Sequence, residues 1–339
     1  MTKLKIGIIG SAGYTGGELL RILIYHPYVD IAFAHSASNA GNKVSDVHTD
    51  LLGDTDLRFS DMHHNDIDVL FLCVGHGDAR KFLEANVIEP HVRIVDLSQD
   101  YRLSDNSVYQ GVSFVYGLPE LQREIICTAR YVANPGCFAT GIQLALLPLA
   151  ANGLLPNQVH VNATTGATGA GQKPSATSHF SWRNNNLSVY KAFTHQHLQE
   201  ITESLETLQP GFLPADGSSL LQRAQQRINM IPQRGDFTRG ILSAIYLDSE
   251  LSETEAYALY EAYYASHPFT HVSKKAIDLK QVVNTNKCLL HVEQHGDKLF
   301  IVSIIDNLLK GASGQAVQNM NLLFGLEETA GLRLKSVAF

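Results

Sequence analysis

The sequence predicts an α/β protein, a doubly wound parallel sheet followed by an α+β domain. Three observations carry this. Strand-like and helix-like segments alternate over the first 135 residues, as in βαβ units. The strand candidates Val69 to Val74 and Arg93 to Leu97 are nearly continuous apolar runs, the pattern of strands covered on both faces. After Cys137 the pattern changes to longer strand candidates, which suit a mostly antiparallel sheet.

In chain order, Lys5 to Ile9 is a short apolar run ending at glycine, and Gly17 to Tyr25 places Leu19, Leu20, Leu23 and Ile24 on one helical face. Val29 to Ala34 is a second strand. Thr140 to Ala151 reads as a helix, followed by a loop over 152–157. Strands are expected at Gln158 to Thr165, Gly240 to Leu247 and Lys298 to Ile305. Glu253 to Ala265 is an amphipathic helix with Ser252 as its N-cap. A last helix is expected over Ser313 to Phe324.

The chain has 339 residues, enough for about two domains at roughly 150 residues each. Residues 1–137 form the first domain of this reading and 138–310 the second, with the segment 311–339 packing back on the first. Hydrophobic residues make up 45% and charged residues 17%, which excludes disorder for the bulk of the chain. The net charge of −7 argues against nucleic acid or an anionic membrane surface as the main partner. No apolar run reaches the ~18 residues of a membrane span, and the N-terminal apolar stretch breaks at glycine too early for a signal-peptide core. The four cysteines, Cys73, Cys127, Cys137 and Cys288, form no CxxC pair. A cytoplasmic, reducing compartment is the expectation.

Residues 4–17 read LKIGIIGSAGYTGG. A strand ends at Gly10, glycines recur at Gly13 and Gly16, and a helix follows. Glycine lets backbone N–H groups approach a pyrophosphate, and the helix N-terminus favours its charge. Gly10, Ser11, Ala12, Gly13, Tyr14, Thr15 and Gly16 are therefore the candidate dinucleotide turn of a Rossmann-type domain. NAD-binding domains carry a carboxylate for the ribose 2′-OH at the end of the second strand. Here that position reads Ala34-His35-Ser36-Ala37-Ser38-Asn39, with Lys43 beyond. Hydroxyls at Ser36 and Ser38 with a nearby lysine suit a 2′-phosphate, so NADP(H) is the expected cofactor.

Asn134-Pro135-Gly136-Cys137 precedes an apolar helix. The Pro-Gly turn puts Cys137 in the first helical turn, where the helix dipole stabilises a thiolate, the nucleophile for acyl transfer. Cys73, inside an apolar strand candidate, reads as a buried small hydrophobe. The base is sought in Thr194-His195-Gln196-His197-Leu198-Gln199-Glu200. His197 is the preferred proton acceptor, with His195 or Glu200 orienting it. The same three side chains match the ligand count of a zinc site, the competing functional reading; a Cys–His pair with no metal is preferred.

Together these motifs resemble the N-acetyl-gamma-glutamyl-phosphate reductases, relatives of aspartate-semialdehyde dehydrogenase. The matching pieces stand in family order along essentially the whole chain: GSAGYTGGEL from 10, SDVH from 45, VDLSQDYRL from 95, YGLPEL from 116 and NPGCFATG from 134. TTGATGAG from 164, THQH with Glu200, FTRGI from 237 and DNLLKGASGQAVQNMN from 306 complete them. The resemblance implies a Rossmann-type dinucleotide-binding domain joined to a catalytic and dimerisation domain of the semialdehyde dehydrogenase type. It implies an oligomer, a dimer or tetramer, that uses NADPH to reduce an N-acyl-glutamyl 5-phosphate to the 5-semialdehyde in arginine biosynthesis. The family cysteine falls on Cys137 and the HxH histidine on His195 or His197. Arg102, with Asn134, becomes a candidate phosphate ligand, and Asn307 and Lys310 lie near cofactor or substrate. Gln196 and Gln199 replace the arginine and proline of the family's HRHxPE, and Pro232-Gln233-Arg234 replaces Pro-His-Leu. These departures bear on the acyl-group and carboxylate contacts. The same chemistry on an N-succinyl-glutamyl, aminoadipyl or aspartyl phosphate is the alternative, and a non-catalytic NADP-binding regulator the rival from another class.

Overall fold

A computed structural model describes residues 2–337. Met1, Ala338 and Phe339, which fall in the first-domain and C-terminal segments of the sequence reading, lie outside the described residues. The chain forms two compact units, one running to Pro135 and including Ala312–Leu334, the other Gly136–Gly311 with the residues from Lys335. Cys137 thus falls in the second unit, and so do residues 335–337.

The first unit begins with β1 (Leu4–Ile9), α1 (Tyr14–Leu23), β2 (Val29–His35), β3 (Phe59–Ser60), β4 (Val69–Leu72), α2 (Asp78–Ala85) and β5 (Arg93–Asp96). It continues through β6 (Val108–Tyr109), β7 (Val112–Tyr116), α3 (Pro119–Thr128) and β8 (Tyr131–Ala133). These strands form one sheet in the order β3-β2-β1-β4-β5-β8-β7-β6. Every described pair is parallel except β6 with β7. All four residues of β4 are buried, as a strand with helices on both faces requires. The run predicted to reach Val74 stops at Leu72. Cys73 therefore lies just past the strand end and is only half-buried, a correction to its placement inside a strand.

The second unit contains α4 (Cys137–Ala150), β9 (Val159–Thr165), α5 (Phe180–Arg183), β10 (Ser188–Val189), α6 (His197–Leu208) and α7 (Leu220–Gln225). It continues with β11 (Ile228–Arg234), β12 (Ile241–Asp248), α8 (Glu253–Tyr264), β13 (Thr270–Ser273), β14 (Cys288–His295) and β15 (Lys298–Ile305). The sheet order is β10-β11-β9-β12-β15-β14-β13. It is antiparallel apart from the β11–β9 and β13–β14 pairs. On β12, Ile241, Ser243, Ile245 and Leu247 are buried and alternate with more exposed residues, the signature of a sheet covered on one face. Helix α4 packs on that buried face and is buried from Phe138 to Ala150. Ser252 caps α8 as expected, its hydroxyl accepting from the Glu255 N–H while Glu255 reaches back to Ser252.

Leu309–Ser313 is a single π-helical turn, and α9 (Gly314–Leu323) follows it. Helix α9 is buried throughout and contacts α1, α3 and β5 of the first unit. Asn319 donates to the Gly117 carbonyl (2.8 Å) and the Asn134 side chain (3.1 Å).

Candidate active site

In the first unit the glycine turn joins β1 to α1. Gly10 has φ of +79°, and a Cβ there would overlap the Cys73 carbonyl. A Cβ on Gly16 would stand 2.5 Å from Ser11 Cα and 2.6 Å from the Gly10 oxygen. This close approach explains why α1 starts at Tyr14, three residues before the predicted start. Gly13 is the extended N-cap, and the later glycines occupy the first helical turn because only they fit there. No side chain caps α1 and no acidic residue stands in its first turn. An uncapped helix N-terminus behind a glycine turn fits a pyrophosphate.

The other turn residues divide by exposure. Ser11 is fully buried: its N–H and hydroxyl both bond the His35 carbonyl, and its own carbonyl meets His48 Nε2 at 2.9 Å. The SDVH motif thus buttresses the turn. Tyr14 is exposed, and the Thr15 carbonyl accepts from Ser313. At the end of β2, Asn39 donates to both Ser36 and Ser38 at 3.1 Å. Lys43, expected to serve a 2′-phosphate, pairs instead with Asp56 at 2.9 Å. Beside this loop, Arg58 donates to the Gly41 carbonyl.

Arg102 and Asn134 meet in the first unit. Arg102 is buried, with Nε donating to the Asn134 carbonyl (2.8 Å) and Nη2 to that of Leu97 (3.0 Å). Asn134 in turn donates to the Ala312 carbonyl. Asp96, the aspartate of the VDLS motif, holds Ser98 through two hydrogen bonds; burial raises its carboxyl to about 6. Arg102 therefore ties together the chain segments leading into Cys137.

In the second unit Cys137 is the first residue of α4, three residues earlier than the predicted helix start. Gly136 is its extended N-cap, and both the Thr140 N–H and hydroxyl bond the Gly136 carbonyl. The Gly136 N–H donates to Glu200 Oε2 at 3.0 Å, and the other carboxylate oxygen lies 3.8 Å from His197 Nε2. A Cβ on Gly136 would overlap the His197 ring and Glu200, so these side chains press on the residue before the cysteine. Gly311, in the π-helical turn, abuts Cys137 from another side.

His195, His197 and Glu200 are all buried around the start of α6. His195 Nδ1 accepts from the His197 N–H at 3.2 Å, and the two rings meet edge to face at 4.5 Å. Burial, then the neighbouring His197 and Lys191, lower His195 to about 3, so it is neutral at physiological pH. Among the described residues, no three His, Cys, Asp or Glu side chains are grouped to hold a metal ion.

Asn307 and Lys310 follow β15. The Asn307 oxygen accepts from the Gly240 N–H (2.8 Å) and its amide donates to Thr168 (3.0 Å), so both ends are engaged within the second unit. Lys310 is fully buried in the π-helical turn. Asp306 pairs with Arg239 at 3.0 Å and accepts from the Leu308, Leu309 and Asn284 N–H groups, which fixes that turn. Tyr190 escaped the sequence reading, and Arg234 entered it only as part of the Pro232-Gln233-Arg234 departure from the family pattern. The short β10–β11 pairing brings them together, with the guanidinium 4.6 Å from the Tyr190 ring centre. Burial and the adjacent Cys137 push the Tyr190 hydroxyl up to about 12.

Two family models match the chain. The semialdehyde dehydrogenase NAD-binding domain matches residues 5–129, and the semialdehyde dehydrogenase dimerisation domain matches 137–307. The chain belongs to the semialdehyde dehydrogenase family. Within it, the N-acetyl-gamma-glutamyl-phosphate reductase of Azobacteroides pseudotrichonymphae is 58% identical over 337 residues, covering 99% of this chain and 100% of that protein. The protein of the same name from Bacteroides thetaiotaomicron is 57% identical with the same coverage. Among solved structures, aspartate semialdehyde dehydrogenase II of Vibrio cholerae aligns with a TM-score of 0.73 at 14% identity, over 96% of this chain and 99% of that one. The Candida albicans enzyme, solved with NADP, aligns at 0.64 and 15% identity, over 95% and 99%. These structures share the fold. Among the described residues no helix is long and apolar enough to cross a membrane.

Proposed function

We propose that the chain is an NADP-dependent, phosphorylating semialdehyde dehydrogenase. In the biosynthetic direction it reduces an N-acyl-glutamyl 5-phosphate to the 5-semialdehyde and phosphate, a step of arginine biosynthesis. One observation carries this reading: Cys137 heads α4 directly after Gly136, against which His197 and Glu200 pack. The dimerisation-domain match supports a homo-oligomer, and the biosynthetic relatives support a cytoplasmic enzyme.

The chemistry follows from these groups. Cys137 attacks the acyl-phosphate carbonyl carbon as a thiolate, the bond to the phosphate oxygen breaks, and a thioester remains on the enzyme. The N-terminus of α4 favours the negative charge on the attacking sulfur. NADPH, when bound at the Gly10–Gly16 turn, supplies the hydride that reduces the thioester. Hydride addition leaves a thiohemiacetal oxyanion, which collapses to the aldehyde as the carbon–sulfur bond breaks, and the departing Cys137 sulfur takes up a proton. His197 handles that proton, because its ring lies against the residue before Cys137 and Glu200 faces it. His195, neutral and bonded to the His197 N–H, positions this segment. Arg102 positions Asn134 and the Pro-Gly turn, while Asn307 and Lys310 shape the loops after β15.

The reverse reaction tests the reading. N-acetylglutamate 5-semialdehyde and NADP+ should form NADPH, followed by absorbance, only when inorganic phosphate is added. NADPH formation with an N-succinyl, aminoadipyl or aspartyl semialdehyde alone would move the substrate. Silence with all of them despite NADP binding would favour a regulator.

A further inference from the structure

Helix α2 begins without a cap of its own. Its N-cap residue, Gly77, has φ of +84° and no side chain. The cap comes instead from Asp100, 23 positions downstream in the VDLSQDYRL motif. One carboxylate oxygen of Asp100 accepts from the Gly77 N–H at 2.6 Å, the other from the Arg80 N–H at 3.1 Å. Those are the N-cap and N3 amides, the pair that a capping box satisfies with two side chains of the helix itself. Here one carboxylate from another segment serves both, at the end of the helix dipole that favours negative charge. The carboxylate is held from both sides. The Asp100 N–H donates to Ser98 Oγ (3.1 Å), and that hydroxyl donates to the buried Asp96 (2.8 Å). The Asp100 carbonyl accepts from Arg80 Nη2 at 3.0 Å, and the Arg80 guanidinium lies 4.6 Å from the centre of the buried Tyr101 ring. Next to it, the Gln99 N–H bonds His76 Nδ1 at 3.2 Å.

Gly75, His76 and Gly77 are exposed, so these bonds rather than burial set the path of the loop from β4 to α2. In the first sheet β1 has β2 on one side and β4 on the other, so the winding reverses between β1 and β4. The crevice outside the carboxyl ends of two such strands is where a doubly wound sheet takes its ligand. The glycine turn after β1 forms one wall and the loop after β4 the other. The two walls touch: the Cys73 N–H bonds the Ile9 carbonyl at 2.9 Å, and the Cys73 carbonyl leaves no room for a Cβ on Gly10.

We propose that Asp100 is a positioning residue for the dinucleotide: by capping α2 from outside, it holds the loop 73–77 as the second wall of the cofactor crevice. This rests on the NADP-dependent function proposed above. Without the carboxylate, two backbone donors beside the crevice lose their acceptor. Binding must then order the loop, and that ordering is subtracted from the affinity.

The experiment titrates NADPH by fluorescence into the full-length wild type, Asp100→Ala and Asp100→Asn, and measures phosphate-dependent NADPH formation beside it. Asp100→Ala should raise the NADPH Kd and the KM for NADP+ by about 5- to 10-fold, the size of one lost helix cap. Its KM for phosphate should stay unchanged. Asp100→Asn keeps one acceptor oxygen and should recover part of the affinity. Ser252→Ala, which removes the cap of α8 in the second unit, should lower Tm to a similar extent and leave the NADPH Kd unchanged. If Asp100→Ala does not fold, Asp100→Asn and Asp100→Ser carry the same comparison, and a wild-type Kd in both overturns the assignment. A folded Asp100→Ala with lowered Tm and wild-type Kd overturns it too, since the cap then serves stability alone. An equal rise in the phosphate KM also overturns it, because the whole segment 97–102 has then moved. A wild type that binds NADPH yet turns over no semialdehyde overturns the proposed function alone, because the Asp100 comparison is read from Kd. A wild type that binds no dinucleotide overturns both.

Discussion

Cys137 and the histidines near it have separable effects. Cys137→Ala should remove at least about 10³-fold of turnover, because no other group present forms the thioester, while NADPH binding measured by fluorescence survives. Substantial residual reductase activity would exclude the covalent route. His195 makes a pH prediction. The unfolded chain takes up a proton near the ordinary 6.5, whereas the folded ring resists it until about 3. The unfolded state therefore binds more protons between those values, and stability falls as the pH drops from about 6.5 toward 3. Thermal melts of His195→Asn should fall less steeply over that window than those of the wild type. An identical slope would mean that His195 titrates normally. Cys137, both histidines and Glu200 were legible because they lie in short local motifs. The pairing of Tyr190 with Arg234 was not, since 44 positions separate them and the β10–β11 pairing unites them.

At the scale of elements, the proposed chemistry rests on the start of α4. Gly136 has an ordinary extended backbone, so its constraint is space: a methyl group there would displace His197 and Glu200. Gly136→Ala should lower kcat by about 10²-fold with little change in cofactor affinity, read from steady-state kinetics beside NADPH titration. A wild-type kcat would show that the His197 and Glu200 placement does not matter to the reaction. The long elements could be read from pattern: β4 as an apolar run, α8 from its amphipathic pattern behind the Ser252 N-cap, β15 from its length. Glycine turned the reading aside at α1, where packing against Ser11 and His48 outweighs glycine's low helix propensity. Strands of two residues, such as β6 and β10, carry no periodicity and exist only through their partners.

At the scale of the whole molecule, two units with separate cores need not melt together. NADP+ at one hundred times its Kd adds about 2.7 kcal/mol to whatever binds it, which for a unit of this size raises Tm by about 5 to 10 °C. The shift should vanish in Gly16→Ala and persist in Cys137→Ala, as followed by calorimetry. A shift retained in Gly16→Ala would take the cofactor away from the glycine turn. The fold class was legible at this scale because alternating and antiparallel patterns change at Cys137. The parallel pairs inside the second sheet, β11–β9 and β13–β14, were not, since a strand's own residues do not say which way its neighbour runs.

Helix α9 belongs to the first unit but is encoded after the main body of the second, 136 to 311. Its asparagines satisfy groups laid down much earlier: Asn321 meets His26 at 3.1 Å, and Asn319 meets Gly117 and Asn134. A nascent chain leaving the ribosome must therefore carry its first sheet with one flank bare while some 176 further residues, 136 to 311, are made. The second unit, by contrast, has its main body, 136 to 311, in one stretch. The usual vectorial order, N-terminal domain first, is thus reversed for the final closing step.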